Sequence, residues 1–440
     1  MFRTSLALLA VAALTLAAAP AGAVEDAGSA TPQFKEGDVI TYDQVDKLRP
    51  FLPDEFWDNR DFFFYEGMQM EIGPTMYDYS APKEYQAATE KFRGQPRIGP
   101  DESLENYTAG QPFPMEEIDC KNDPQAAVKI MWNFDRQWRG AGAKTEFFYS
   151  YWDRGEQLPL YYEGNAQGVN LAHRIEAQYL NENGGDIFRG EKRKGASGPY
   201  VEAPFDARGI TLLTYRYKAS DGPRADAKND DTWVYVPTLR RVRRISSAQR
   251  TDAVAGTDFT MDDLFSFNGI VPQYTWECLA ERKMIGPFNT KVKAYPYEKE
   301  HNFGPYGLSY ADDRWELRDT VLIRMTPKND DHPYHHKDIW IDKQTLTALY
   351  GFAYDRKEEL WKILWHNKRW SEDESLTGPW YNGWEGVERP RDLTIVSDMI
   401  VNVQTGTGNR IEFWNRVGEP FKSKGKIRRF IDVGRLTKGR

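Results

Sequence analysis

From position 123 to 138 apolar residues fall at spacings of three and four. Ala127, Ile130, Phe134 and Trp138 line one side, Asp123 stands where a cap would, and Pro124 opens the first turn. The pattern predicts an amphipathic helix closed by Gly140 and Gly142. Weaker signals predict helices over 41–48, headed by Thr41, and over 80–92, headed by Ser80 with Pro82 near the first turn. Beyond 140 the pattern turns to short β-branched and aromatic runs. Those at 146–152, 210–218, 231–236, 276–284, 314–317, 321–325, 338–341, 346–354, 360–370, 394–404 and 410–415 predict strands. Turn clusters such as Asp221-Gly222-Pro223, Asp355-Arg356-Lys357 and Gly406-Thr407-Gly408-Asn409 separate them, and connections this short favour antiparallel neighbours. There is neither an internal repeat nor an α/β alternation. The predicted fold is mainly β: a large antiparallel meander with a few helices on one face.

The run 360–370 is apolar on both sides. Simple alternation sends Trp361, Ile363 and Trp365 one way and Leu360, Leu364 and His366 the other. Such a strand needs cover on two faces, or cover on one and a cavity on the other. Upstream, Asp61 and Glu66 flank Phe62-Phe63-Phe64-Tyr65, a composition suited to a docking strand or wedge. Aromatic residues make up 14% of the chain, enough to fill broad sheet faces or line a wide pocket.

Residues 1–23 read as a secretory signal peptide. Arg3 gives a basic start, Leu6 to Leu16 an apolar core, and Ala21-Gly22-Ala23 a cleavage site. Export to a bacterial periplasm, with no further membrane span, is the expectation. Residues 24–38 are small and polar enough to predict a flexible mature N-terminus. Cys120 and Cys278 are the two cysteines, and in an oxidising compartment they suggest one disulfide, with a pair of buried thiols as the alternative. A net charge of −8 argues against nonspecific nucleic-acid binding. Against that balance, 422–440 carries eight Lys and Arg and one Asp. It reads as a solvated basic tail, or as a contact for an anionic membrane or acidic partner.

The most ordered pattern is DTWVYVPTLRRVRRISSAQRTDAVAGTDFTMDDLFSFNG, from Asp231 to Gly269. An aromatic strand meets Pro237, then Arg240, Arg241, Arg243 and Arg244, then a Gly256-Thr257-Asp258 turn and an acidic, aromatic stretch. This resembles the outer-membrane lipoprotein-sorting-like proteins, a domain-of-unknown-function family. Their "W-x-Y-x-P", arginine-rich turn and "G-[ST]-D-[FY]-x-x-x-D-[LF]" follow in the same order. Ala109 to Pro114 resembles the family's "A-G-x-P-F-P" turn, Asp123 to Asn133 its "D-P-x-A-A-x-K-I-x-W-N" helix, and His332-Pro333-Tyr334, Trp340-Ile341-Asp342 and Tyr354-Asp355 its hairpins. The resemblance spans nearly the whole chain after 23. It implies a half-barrel like those of the LolA and LolB lipoprotein carriers over 39–421, with helices on its concave side and an apolar cavity.

No motif for catalysis or cofactor binding stands out. There is no G-x-S-x-G, no G-x-G-x-x-G and no G-x-x-x-x-G-K-[ST]. His332, His335 and His336 sit among acids and Lys337 in a way that suits a polar hairpin better than zinc. Asp262-Asp263 and Asp312-Asp313 are paired acids, as a glycosidase would need, but equally able to pair with arginines. The resulting expectation is a non-enzymatic periplasmic carrier or chaperone without a cofactor, for a lipid-like or other hydrophobic small molecule. Its partner would be an envelope transporter or outer-membrane protein. A scaffold for an envelope complex and a polysaccharide-active enzyme are the alternatives. The expected ligand site joins Trp233 and Tyr235, on one strand face, to Arg241, Arg243, Asp258 and Asp263. A purely structural pairing of these arginines and acids is the competing reading.

Overall fold

The computed structural model describes residues 25–26, 30–75, 77–155, 157–245, 250–291, 302–373, 391–417, 421 and 423–438. The expected signal peptide, 1–23, lies outside them. Five short strands come first: β1 (Glu25–Asp26), β2 (Val39–Ile40), β3 (Met70–Ile72), β4 (Arg97–Ile98) and β5 (Leu104–Glu105). A first meander follows, of β6 (Gly142–Asp153), β7 (Gln157–Asn170), β8 (Arg193–Ala203), β9 (Thr211–Tyr217), β10 (Asp231–Val236) and β11 (Arg241–Ile245). The second contains β12 (Tyr274–Pro287), β13 (Arg314–Pro327), β14 (His336–Asp342), β15 (Ala348–Tyr354), β16 (Leu360–Trp370), β17 (Leu393–Asn402) and β18 (Thr407–Val417). The helices are α1 (Asp54–Asp58), α2 (Lys83–Phe92), α3 (Ala126–Arg136), α4 (Ala177–Asn183) and α5 (Lys424–Phe430).

All but β4 and β5 belong to one open, 16-stranded sheet. Its order places β12 to β18 side by side, then β6 to β11, so the last strand of the chain pairs with the first long one. The link from β11 to β12 therefore has to cross from one side of the sheet to the other. It does so as a strap, 250–273, laid over one face.

Both faces are covered. On the first face Tyr350, Trp365 and Met399 are cross-strand neighbours, and the N-terminal segment wedges rings against them. Phe56 stacks on Phe63 at 4.2 Å between centroids, and Phe63, Phe56 and Tyr310 all reach Trp365 within 5.2 Å. The aromatic run 62–65 is thus the expected wedge, held in the largest core. Phe34 is buried against Phe51 and Gly37 N donates to Ile72 O, so the described end of the stretch expected to be flexible, 30–38, is pinned by packing and by the backbone. On the second face α3 packs Ile130, Met131 and Phe134 over Ile323, Met325 and Ile339, and the strap covers Leu364, Ile400 and Ile411.

The 360–370 strand forms with the predicted bounds, but its alternation breaks at one residue. Ala353 pairs with Lys362 and Tyr354 with Leu360, leaving Trp361 as the extra residue of a bulge. Leu360 consequently joins the wedge core, and Trp361 turns to the strap face beside Tyr334. Strand β7 escaped prediction and β8 with it, because Gly164, Gly168, Gly195, Gly198, Pro159 and Pro199 resemble turn punctuation. A Cβ on Gly164 would collide with Tyr200 O, and one on Gly198 with Leu212 O. These glycines permit close approach of neighbouring backbones inside the sheet.

Helix α3 is shorter than its apolar pattern. Asp123 heads the turn before it, accepting from Gln125 N and Lys129 Nζ, and Trp138 lies past the end, against Tyr85. Cys120 and Cys278 are bonded, with Cα atoms 5.7 Å apart, tying the segment before α3 to β12. The basic C-terminal stretch is not a free tail over its described part. Helix α5 buries Ile427 and Phe430, and Ile431 and Leu436 follow them onto β8 to β10, while Lys426, Arg428, Arg429 and Arg435 face solvent.

Candidate functional site

The structure scatters the expected ligand site over three places. Trp233 and Tyr235 do share a face, opposing Leu213 and Thr211, but α5 and the residues after it cover that face. The two rings pack with Tyr215, Val242 and Val433 rather than lining a cavity. Arg241 and Arg243 pair with Val236 and Val234, which puts their side chains on the opposite face of the sheet's outermost strand. There they are exposed. Arg244 shares the Trp233 side and pairs with Asp231. Closeness in sequence suggested one place, but Arg240 occupies a left-handed turn position with φ 48° and the hairpin register sets Arg241 and Arg243 opposite Val236 and Val234.

Asp258 and Asp263, the two acids of the G-T-D-F-x-x-x-D-L pattern, are anchors of the strap. Asp258 accepts from Asn402 Nδ2 at 2.7 Å and Thr407 Oγ1 at 2.6 Å, and its N donates to Asn409 Oδ1. Asp263 is fully buried. Lys337 Nζ donates to it at 2.7 Å, Tyr334 Oη at 2.7 Å and Thr260 Oγ1 at 2.9 Å, with Lys362 Nζ at 3.4 Å. Burial alone would raise its pKa, but Lys337 and then Lys362 outweigh it and hold the carboxyl well below the usual range. Burial lowers the pKa of Lys362, whose ammonium still finds Asp258 O at 2.7 Å and Tyr334 Oη at 2.8 Å.

The same strap contributes a constellation the sequence hid. Ser266 Oγ lies 2.7 Å from His366 Nε2, and His366 Nδ1 lies 2.8 Å from Asp398 Oδ1. Residues 265 and 266 both have positive φ, 60° and 67°. Spacing in sequence gave no clue, because the three come from the strap, β16 and β17. The resemblance to a hydrolytic triad ends at the surroundings. All three side chains are completely buried, and a Cβ on Gly351 would sit 2.9 Å from Ser266 Oγ, so the space a scissile carbonyl needs holds backbone. Ser266 N donates to Asp263 O and Phe265 N donates to Asp398 Oδ2. Burial lowers the pKa of His366, keeping the ring neutral. In this arrangement the three residues staple the strap to the sheet.

The open spaces lie elsewhere, around α2 and the end of α3. A cleft of about 640 Å³ is walled by Tyr79, Tyr85, Trp138, Leu346, Trp370 and Leu393, with Arg93 and Arg391 at its polar parts. A second, of about 230 Å³, contains Arg136, His173, Lys194 and Arg216. Tyr85, Gln137 and Trp138 line both. Several cations in and behind the smaller cleft pair with neighbouring acids. Arg136 and Lys194 share Asp135 and Asp221, while Arg216 and Arg250 share Asp230. Three buried side-chain atoms of its lining have no hydrogen-bond partner: Trp138 Nε1, His173 Nε2 and Arg136 Nε, the last lying 3.5 Å from Asp135 Oδ2 within an ion pair. His173 Nδ1 lies 2.9 Å from Thr108 O, and burial, helped by Arg136, pushes the ring's pKa well down. The neutral ring thus donates from Nδ1 and leaves Nε2 as an acceptor.

Other sequence candidates have structural partners. Asp262 accepts from Arg250 and Tyr274, and Asp313 from Thr290 and Asn367. His336 stacks on Tyr354 at 4.1 Å, and no group of three or more potential metal ligands occurs among the described residues. The turn and helix patterns belong together: Asn133 of α3 accepts from Phe113 N and donates to Phe113 O. With these placements known, residues 39–427 match a family described as a protein of unknown function, DUF1329. This chain belongs to that family. An uncharacterised protein of Pseudomonas aeruginosa is 23% identical over 283 residues, covering 63% of this DUF1329 chain and 57% of that protein. The match thus spans little more than half of the curated relative. A putative outer membrane lipoprotein-sorting protein domain from Vibrio parahaemolyticus superposes with a TM-score of 0.46 at 16% identity, over 72% of this chain and 100% of that one. A LolA superfamily protein from Nitrosomonas europaea gives 0.35 at 9% identity, over 67% and 92%. No helix among the described residues is long and apolar enough to cross a membrane.

Proposed function

We propose that this DUF1329 protein is a non-enzymatic carrier or chaperone of the periplasm, holding a lipid-like molecule in the paired clefts beside α2 and α3. The observation that carries this reading is the junction at Tyr85, Gln137 and Trp138, where a ring-walled cleft meets one in which Trp138 Nε1 and His173 Nε2 have neither a hydrogen bond nor an ion pair. The walls suit an apolar chain; about ten buried methylenes would favour transfer by roughly 8 kcal/mol before binding costs. Trp138 Nε1 needs an acceptor and His173 Nε2 a donor. A hydroxyl is both. The ligand's polar end is therefore better described as hydroxylated than as anionic, and the arginines of β11 have no part in it. The sealed Ser266–His366–Asp398 group favours a binding role over hydrolysis.

Native mass spectrometry of protein purified from periplasm, followed by uptake of dodecanol as a probe, tests this. A co-purified amphiphile, and dodecanol affinity lowered about tenfold by Trp138→Phe or His173→Phe, are expected, since each variant keeps a ring and removes one hydrogen bond. Dodecanol bound equally well by Trp138→Ala would sink the reading.

A further inference from the structure

Two neighbouring turns at one end of the sheet carry apolar side chains into water. In the β8–β9 turn Phe205 is 89% exposed, and in the β10–β11 turn Leu239 is 48% exposed. The turns touch. Gly209 has φ 89° and packs so closely on Pro237 that a Cβ there would lie 2.9 Å from Pro237 Cγ. A single exposed apolar residue needs no explanation, but two on abutting turns form a patch. Arg208, Arg240 and Arg241 surround it, all exposed and without an ion pair among the described residues. Asp206 is the one acid on the two turns. Two nearby arginines are engaged: Arg244, three residues from Arg241, pairs with Asp231, and Arg216 with Asp230.

We propose that these turns form a foot for an anionic phospholipid surface, with Phe205 and Leu239 entering the headgroup–acyl boundary and Arg208, Arg240 and Arg241 meeting lipid phosphates. Apolar tips ringed by cations match an interface that is apolar below and negative above. Arginine's planar fork suits phosphate oxygens, and its unpaired state avoids breaking an internal contact on docking. An acidic protein could satisfy the charges, but a side chain as exposed as Phe205 favours a soft surface over a preformed pocket. The cleft beside α2 plays no part, so the foot stands or falls independently of the carrier reading.

Flotation of the protein with vesicles of equal parts phosphatidylglycerol and phosphatidylcholine, against pure phosphatidylcholine, tests the foot. Binding to the anionic vesicles should exceed binding to the neutral ones at least tenfold and fall as salt rises. Phe205→Ser with Leu239→Ser, and separately Arg240→Glu with Arg241→Glu, should each weaken it at least tenfold. Melting temperatures should stay unchanged, because the side chains are exposed. Arg429→Glu, exposed on α5, is the control and should bind as the parent does. A parent protein that ignores anionic vesicles overturns the proposal. So does undiminished binding by both foot variants, or a loss with Arg429→Glu as large as theirs.

Discussion

At the scale of single residues, buried charge decides most. Asp263 neutralises Lys337 at close range and Lys362 at longer range, inside the protein. Asp263→Asn keeps the shape and removes the charge, leaving two ammoniums without a carboxylate. A loss of about 3–5 kcal/mol is expected by urea unfolding. A second pair tunes stability with pH. Burial raises Glu316 to about 8, opposed by Arg318, with Tyr79, Arg314 and Asp342 also close. Burial lowers Lys368 to about 7, with Asp342, Arg318, Asp398 and Glu316 as its charged neighbours. The signs are opposite. The Glu316 contribution is full below its unfolded pKa near 4.5 and is lost as pH rises through about 8. The Lys368 contribution is full above its unfolded pKa near 10.5 and is lost as pH falls through about 7. Together they give least stability near pH 7 to 8, with slopes of up to about 1.4 kcal/mol per pH unit on either side. Glu316→Gln should flatten the acid side of the stability–pH curve relative to the parent, and Lys368→Met the alkaline side. Parallel curves for Glu316→Gln and parent would refute the acid limb.

At the scale of elements, the wedge and the strap do what helices alone do not. Phe63 stacks on Phe56 and meets Trp365, so Phe63→Ala should cost about 3–5 kcal/mol in chemical denaturation. The disulfide ties the turns before α3 to β12, and its reduction should lower stability by about 2–5 kcal/mol. Quantitative thiol labelling of unreduced periplasmic protein would show the bond is not formed there. Helix α3 and strands such as β10 and β16 were legible because side-chain period follows local geometry. The bulge at Trp361 was not, since one inserted residue leaves no mark in composition. Nor were β7 and β8, where close approach selects the residues that usually end strands. The site was less legible still. The order of Arg241, Arg243, Asp258 and Asp263 suggested one place, while the strap carries the acids away over the sheet. Residues Trp138 and His173 were visible only as a helix end and a lone histidine, and what joins them is a fold-level neighbourhood.

At the scale of the whole molecule, the two long meanders meet at a seam where strand order departs from chain order. Strand β6 has β18 for its neighbour, and Thr145 Oγ1 reaches Trp414 O across 269 residues. During synthesis β6 leaves the ribosome early and stays without that neighbour until nearly the whole chain has emerged. The half-built protein therefore carries an unsatisfied strand edge, with Phe147 and Tyr149 beside it, for most of its translation time. Chains stalled before β18 should bind holdase chaperones and aggregate on release, while chains stalled after β18 should not. On the proposed periplasmic location, export of an unfolded chain would remove the hazard by delivering β6 and β18 to the same compartment before either has to choose a partner.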